Sequence, residues 1–202
     1  LMRQRLLDIN PELQLTVVNR FIKDDETDSL LDSDKFDYVV DAIDTLSPKL
    51  ALIKGSLDRG IPLVSSMGAG AKTDPTKMEI CDIAKTHHCP LAHMLRKRLH
   101  KIGIRTGFAA VFSPEPVREG AMILCEEQNK KSNVGTISYL PALFGIGCAS
   151  VVIRDLTGTE VATDYVIDLS GVTNLPDGMD ITSVKATVGT NGAQTLTETN
   201  GK

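Results

Sequence analysis

The residues best suited to chemistry gather around Asp41-Ala42-Ile43-Asp44. A short apolar run, Tyr38 to Ile43, leads into the last of them and reads as a buried parallel strand. Its acids fall at the carboxyl end, where open α/β sheets bind their ligands. A carboxylate there can hold a magnesium ion that bridges nucleotide phosphates. Asp44 can equally cap the helix that follows, since Asp is a favoured N-cap residue. Lys49, one turn into that helix, is placed either to reach a phosphate or to lie solvated. Farther on, Ser66-Met67-Gly68-Ala69-Gly70 follows a second strand. Its glycines serve either a close backbone approach to phosphate or a tight turn.

Other candidates carry less. His87-His88-Cys89 with Cys81 holds metal-binding residue types without the spacing of a closed zinc site, so a loop with incidental His and Cys is the expected reading. The four cysteines, Cys81, Cys89, Cys125 and Cys148, form no CxxC pair and fit reduced thiols better than a disulfide framework. None has a clear nucleophile setting, and Cys125 is the first to test for sulfur or acyl transfer. The basic run Arg96-Lys97-Arg98-His100-Lys101-Arg105 divides evenly between two roles: contact with nucleic-acid phosphates and a solvated helix face.

Positioning these residues requires alternating strands and helices. Met2 to Ile9 has helical spacing and ends before Asn10-Pro11. Leu13 to Phe21 is β-branched and reads as a strand, and a short helix is expected around Leu30-Leu31. Pro48 to Arg59 is helical and stops at Gly60; Ile61 to Ser65 is a strand. Met78 to Ile83 and Ala109 to Phe112 read as strands, and Pro90 to Lys101 as a basic amphipathic helix. This alternation predicts an α/β fold with a doubly wound, mostly parallel, Rossmann-like sheet. Ile137 to Ile153 is apolar but interrupted by Pro141, Gly145 and Gly147. It is expected to be a buried helix, with membrane association through it the less favoured alternative.

Composition divides the chain. The 202 residues are 42% hydrophobic and 24% charged, which excludes a disordered or collagen-like polymer. A net charge of −4 excludes a generally basic nucleic-acid coat, though not a local basic patch. Residues 158–202 hold two basic and six acidic side chains, so the net charge lies wholly there. That region is rich in Thr and Gly. Two parts are expected: residues 1–157, and a tail, 158–202, forming a small β appendage or an irregular extension. Thr190-Asn191-Gly192 is a hairpin-type turn signal in that tail.

Five segments occur together in order: QRLLDINPELQLTVV (4–18), DAIDTLSPKLALI (41–53), SSMGAGAKTDPT (65–76), PLAHMLRKRL (90–99) and AAVFSPEP (109–116). Together they resemble the ThiF/MoeB/HesA superfamily of ubiquitin-activating-type adenylating enzymes. Within it they are most similar to the tRNA threonylcarbamoyladenosine dehydratase branch, with its AIDxxxPK, GAGxxxDPT and PLAxxLRxRL segments. The resemblance covers about residues 1–156 and implies a cytoplasmic, homodimeric enzyme that uses ATP and magnesium. Such an enzyme activates the threonyl carboxylate of a modified adenosine in tRNA as an acyl-adenylate. Cyclisation then expels AMP. The resemblance makes Asp44 the magnesium and phosphate organiser and the catalytic residue. Asp41, Lys49, Gly68 and Gly70 become further nucleotide-binding candidates.

The superfamily's GxGGxGS phosphate loop is absent from these 202 residues, so the chain is expected to hold only part of the nucleotide site and to lack activity by itself. The paired CxxC motifs of sulfur-carrier activators are also absent, in keeping with the dehydratase branch. Residues after 157 carry no motif of the family. Two other readings remain: activation of the C-terminus of a ubiquitin-like carrier, with a carrier or sulfur-transfer protein as partner, and a nonenzymatic module that keeps the dimerisation surface.

Overall fold

The computed structural model describes residues 1–117, 121–127, 130–159, 164–167, 184–188 and 194–198. Two compact units divide it, Leu1–Ile153 and Arg154–Lys202.

The first unit is built on a four-stranded sheet. Strands β1 (Val39–Asp41), β2 (Leu63–Ser66), β3 (Glu79–Asp82) and β4 (Ala109–Phe112) lie in the order β1-β2-β4-β3. The first three positions are parallel, with Val39 opposite Leu63 and Val64 opposite Ala109. β3 runs antiparallel to β4 along one edge, Cys81 opposite Ala110.

Helix α3 (Leu46–Asp58) makes the crossover from β1 to β2. Its stop is local chemistry. Gly60 takes φ +66°, which a glycine adopts without strain. The Ile61 N–H then donates to the Ser56 carbonyl and the Gly60 N–H to Leu57, so the last turn's carbonyls are satisfied and the chain turns directly into β2.

Alternation along the strands divides the core between the two faces. Val39, Leu63, Ala110 and Phe112 face α3 and helix α4 (Pro90–Lys101), packing with Ile53, Leu95 and Leu99. Val64 and Val111 face the other way, against Leu140, Phe144, Cys148 and Val151 of helix α5 (Tyr139–Thr157). Helices therefore cover both faces of the sheet, as the predicted doubly wound fold requires. α5 is the one described helix long and apolar enough to cross a membrane by length and composition alone. The face named above is buried on the sheet. Pro141 sits in its first turn, where a missing N–H costs the helix nothing.

Besides three short 3-10 turns, the first unit has further small elements. They are helix α1 (Met2–Ile9), helix α2 (Thr27–Leu31) and a hairpin of β5 (Met122–Glu127) and β6 (Lys130–Val134). One expectation fails. Leu13 to Phe21 forms no strand; Val17, Val18 and Phe21 are exposed. A β-branched run becomes a strand only beside a neighbour that pairs with it, and no described ladder includes this segment.

In the second unit β7 (Asp164–Ile167), β8 (Val184–Val188) and β9 (Gln194–Glu198) form an antiparallel sheet with β8 in the middle. Of the two forms expected for the tail, this is the small β appendage. The turn at Thr190 to Gly192 lies outside the described residues, as does the side chain of Cys125.

Candidate functional site

A cleft of about 980 Å³ opens at the carboxyl ends of β1 and β2. Its walls come from the loop after β1 (Ala42 to Thr45), the loop after β2 (Ser66 to Gly70) and the first turns of α3 and α4. Leu46, Met67, Leu91 and Pro141 make much of the surface apolar, and among the described residues Asp44 is the only carboxylate on it.

Beneath the cleft the two strand-end loops are tied by a buried ion pair. Asp41 and Lys49 have no exposed side-chain surface, and Lys49 Nζ lies 2.7 Å from Asp41 Oδ2. The ammonium also donates to the Ile43 carbonyl at 3.0 Å and the Ser66 carbonyl at 2.8 Å. Its three protons are spent. Asp41 in turn accepts from Ser65 Oγ at 2.6 Å and from the Ile43 N–H at 3.0 Å. Lys49 was expected to reach a phosphate or lie solvated. It does neither, because its three ammonium protons are taken by Asp41 and the Ile43 and Ser66 carbonyls.

Asp44, three residues on, is the opposite case. It is exposed on the cleft wall. The N-cap of α3 is Thr45, and no side chain caps the helix's first N–H groups. Asp44 therefore does not cap. Among the described residues its carboxylate accepts only one long hydrogen bond, 3.4 Å, from Thr45 Oγ1. α4 likewise starts at Cys89 without a side-chain cap, and neither helix has an acid in its first turn. Two helix N-termini thus meet the cleft with orphan N–H donors, an arrangement that favours anions.

The glycine loop is held from behind. The Glu115 carboxylate accepts from the N–H groups of Thr73 and Asp74 at 2.8 and 2.9 Å, and from Thr73 Oγ1 at 2.9 Å. Those backbone donors, Asp74 first and then Thr73, hold the Glu115 carboxyl below its ordinary range. Tyr139 donates its hydroxyl to the Thr73 carbonyl at 2.6 Å. Lys72, almost fully buried in the cleft wall, donates to the Glu115 carbonyl, and burial pulls its ammonium downward. Gly68 leaves open space, since an added Cβ would come no nearer than 3.8 Å to Leu91. Gly70 has a packing reason instead. A Cβ there would meet Val134 Cγ1 at 2.9 Å.

The cleft therefore gathers Asp44, Gly68 and Gly70, while Asp41 and Lys49 lie under it. Sequence reasoning missed Lys72 and Glu115 as parts of the site, although both stand inside the GAGAKTDPT and FSPEP segments. Among the described residues no group of three or more His, Cys, Asp or Glu side chains is arranged to hold a metal ion. Burial raises the thiols of Cys81 and Cys148, which disfavours either as a nucleophile.

Known proteins resemble this chain in sequence and in fold. The profile of the ThiF family matches residues 1–187, past the boundary expected at 157. The tRNA threonylcarbamoyladenosine dehydratase of Bacillus subtilis (strain 168) is 37% identical over 164 residues, covering 77% of this chain and 64% of that protein. The protein of the same name from Escherichia coli (strain K12) is 36% identical over 173 residues, with the same coverage. The crystal structure of the E. coli dehydratase, TcdA, in complex with ATP superimposes with a TM-score of 0.68 at 32% identity. It covers 78% of this chain and 62% of that one. A complex of TcdA with AMP gives 0.66. The chain thus spans a little under two thirds of the length of these relatives.

Proposed function

The chain belongs to the ThiF family, and from that premise we propose that the protein carries out the ATP-dependent dehydration of threonylcarbamoyladenosine in tRNA. The observation that carries this reading is Asp44: an uncommitted carboxylate at the strand end, on a cleft whose walls combine apolar side chains, the cations Lys72 and Arg98, and two helix N-termini.

The residues present fit a nucleotide. Gly68 leaves room for phosphate to approach the backbone, and the apolar walls suit a purine. The uncapped N–H groups of α3 and α4 point toward phosphate or a substrate carboxylate. A magnesium ion held by Asp44 would neutralise phosphate charge that the protein's own cations leave uncovered. The apolar walls would limit the access of water to an activated carboxylate, so that the carbamoyl group of the same substrate, bonding to the carboxyl carbon as AMP leaves, outcompetes solvent. The Asp41–Lys49 pair and the Glu115 clamp hold the two loops at fixed spacing and act by positioning. Tyr139 assists by anchoring Thr73. The tRNA partner, a homodimer and a cytoplasmic location belong to the same proposal, as does the division at 157.

The test is mass spectrometry of nucleosides from tRNA incubated with the protein, including any chain contiguous with these residues, with and without ATP and magnesium. The expected result is loss of one water from the threonylcarbamoyladenosine, dependent on ATP. Unchanged nucleoside, with ATP consumed instead against a carrier protein's C-terminus, would overturn it.

A further inference from the structure

Between Asp82 and Glu115 the chain has no acid at all, yet it carries Lys85, Arg96, Lys97, Arg98, Lys101 and Arg105 and all four of the chain's histidines. In a protein of net charge −4 this is a strong local excess. The structure concentrates it on one surface. α4 turns Ala92, Leu95 and Leu99 into the core, at no more than 1% exposure, which fixes the helix rigidly. Its other side exposes His93, Lys97, Arg98, His100 and Lys101, and Arg105 is exposed just beyond the helix end.

Helix stability explains only part of this arrangement: Arg98, His100 and Lys101 stand in the last turn, where cations suit the helix dipole, but Lys97 and Arg105 lie outside that turn. Lys97 and Lys101 are an i,i+4 pair of like charge, which costs the helix a few tenths of a kcal/mol. No ion pair among the described residues involves Lys97, Arg98, Lys101 or Arg105. The ridge is also continuous with the site. Arg98 lines the cleft and donates to Ser47 Oγ, in the first turn of α3, at 3.1 Å.

We propose that the exposed ridge of α4, with Lys97 and Lys101 on the helix and Arg105 beyond it, is the surface on which the substrate RNA's phosphate backbone lies, and that Arg98 marks where it enters the cleft. This rests on the tRNA reading above and names the surface that serves it. Phosphate contacts of this kind position the substrate without reading its sequence. The modified base is then delivered past Arg98 toward Asp44.

Binding of a labelled anticodon stem-loop RNA by the full chain tests the proposal across a salt series. Lys97→Glu/Lys101→Glu is compared with a control of equal charge change, Lys35→Glu/Lys54→Glu. Two lost phosphate contacts should lower the slope of log affinity against log salt by about 1.4 to 1.8. The ridge variant should weaken binding at least tenfold, roughly the loss expected for two contacts, while the control stays near the parent. Equal weakening in both variants would reduce the effect to net charge and overturn the assignment, as would no change in either. Vesicles of anionic lipid form the second arm; ridge-dependent binding to them without binding to RNA would make the surface a membrane contact. The stem-loop need not carry the modified adenosine. A failure here therefore leaves the dehydratase reading, which is judged by its nucleoside product, untouched.

Discussion

Asp41 and Asp44 stand three residues apart and meet opposite fates. Under the cleft, Asp41 is sealed from water and bound to Lys49, Ser65 and a backbone N–H. On the wall, Asp44 is exposed and left almost unpartnered. The floor spends its charges on each other because a buried ion must be paired. The wall keeps its charge available, which a structural role would not require. The difference separates residues that hold the site's shape from the one free to meet a ligand.

Breaking the floor should have the largest effect on folding. Lys49→Met leaves Asp41 buried without its counter-ion, and loss of one partner of such a pair costs about 3–5 kcal/mol. Urea unfolding measures this directly. The double variant Asp41→Leu/Lys49→Met should recover much of the loss, since an apolar pair of similar volume carries no uncompensated charge. A mild effect of Lys49→Met alone would mean that water reaches the pair and that the floor is not sealed.

The Glu115 clamp gives a smaller, pH-dependent effect. Its carboxyl is held below the ordinary range by the N–H groups of Asp74 and Thr73. The folded value is lowered, so the stabilisation is present above the usual Glu range, near about 4.3. It is lost as pH falls through the lowered folded value. Glu115→Gln should therefore destabilise the protein at neutral pH and flatten its acid sensitivity below about pH 4. Melting curves from pH 3 to 7, as a rough window around that range, would check this. Parallel curves for parent and variant would exclude the clamp.

Part of this organisation is legible in the residues themselves. The run from Val39 through Gly60 to Ser66 carries a strand, a helix and its glycine stop in local patterns, so β1, α3, β2 and the place of Asp44 all follow from it. What Lys49 does is not legible. Its partners include the Ser66 carbonyl, 17 positions away, and only the parallel pairing of β1 with β2 brings that oxygen to the ammonium. Glu115 is likewise hidden, since it acts on Thr73 and Asp74 from more than 40 residues away. Leu13 to Phe21 fails for the same reason in reverse: its composition describes a strand, but pairing depends on a neighbour no local pattern contains. Tertiary contacts decide these three cases, and a local reading sees none of them.

The wall should show the smallest effect on stability and the greatest on chemistry. Asp44→Asn removes a charge that nothing in the fold depends on, so unfolding free energy should stay within about 0.5 kcal/mol of the parent. In the protein that includes any chain contiguous with these residues, dehydration of threonylcarbamoyladenosine, followed by nucleoside mass spectrometry at saturating ATP and magnesium, should fall by at least about 100-fold, a loss of roughly 2.7 kcal/mol in transition-state stabilisation. Near-normal turnover in a stably folded Asp44→Asn protein would contradict the account and return Asp44 to the ordinary surface.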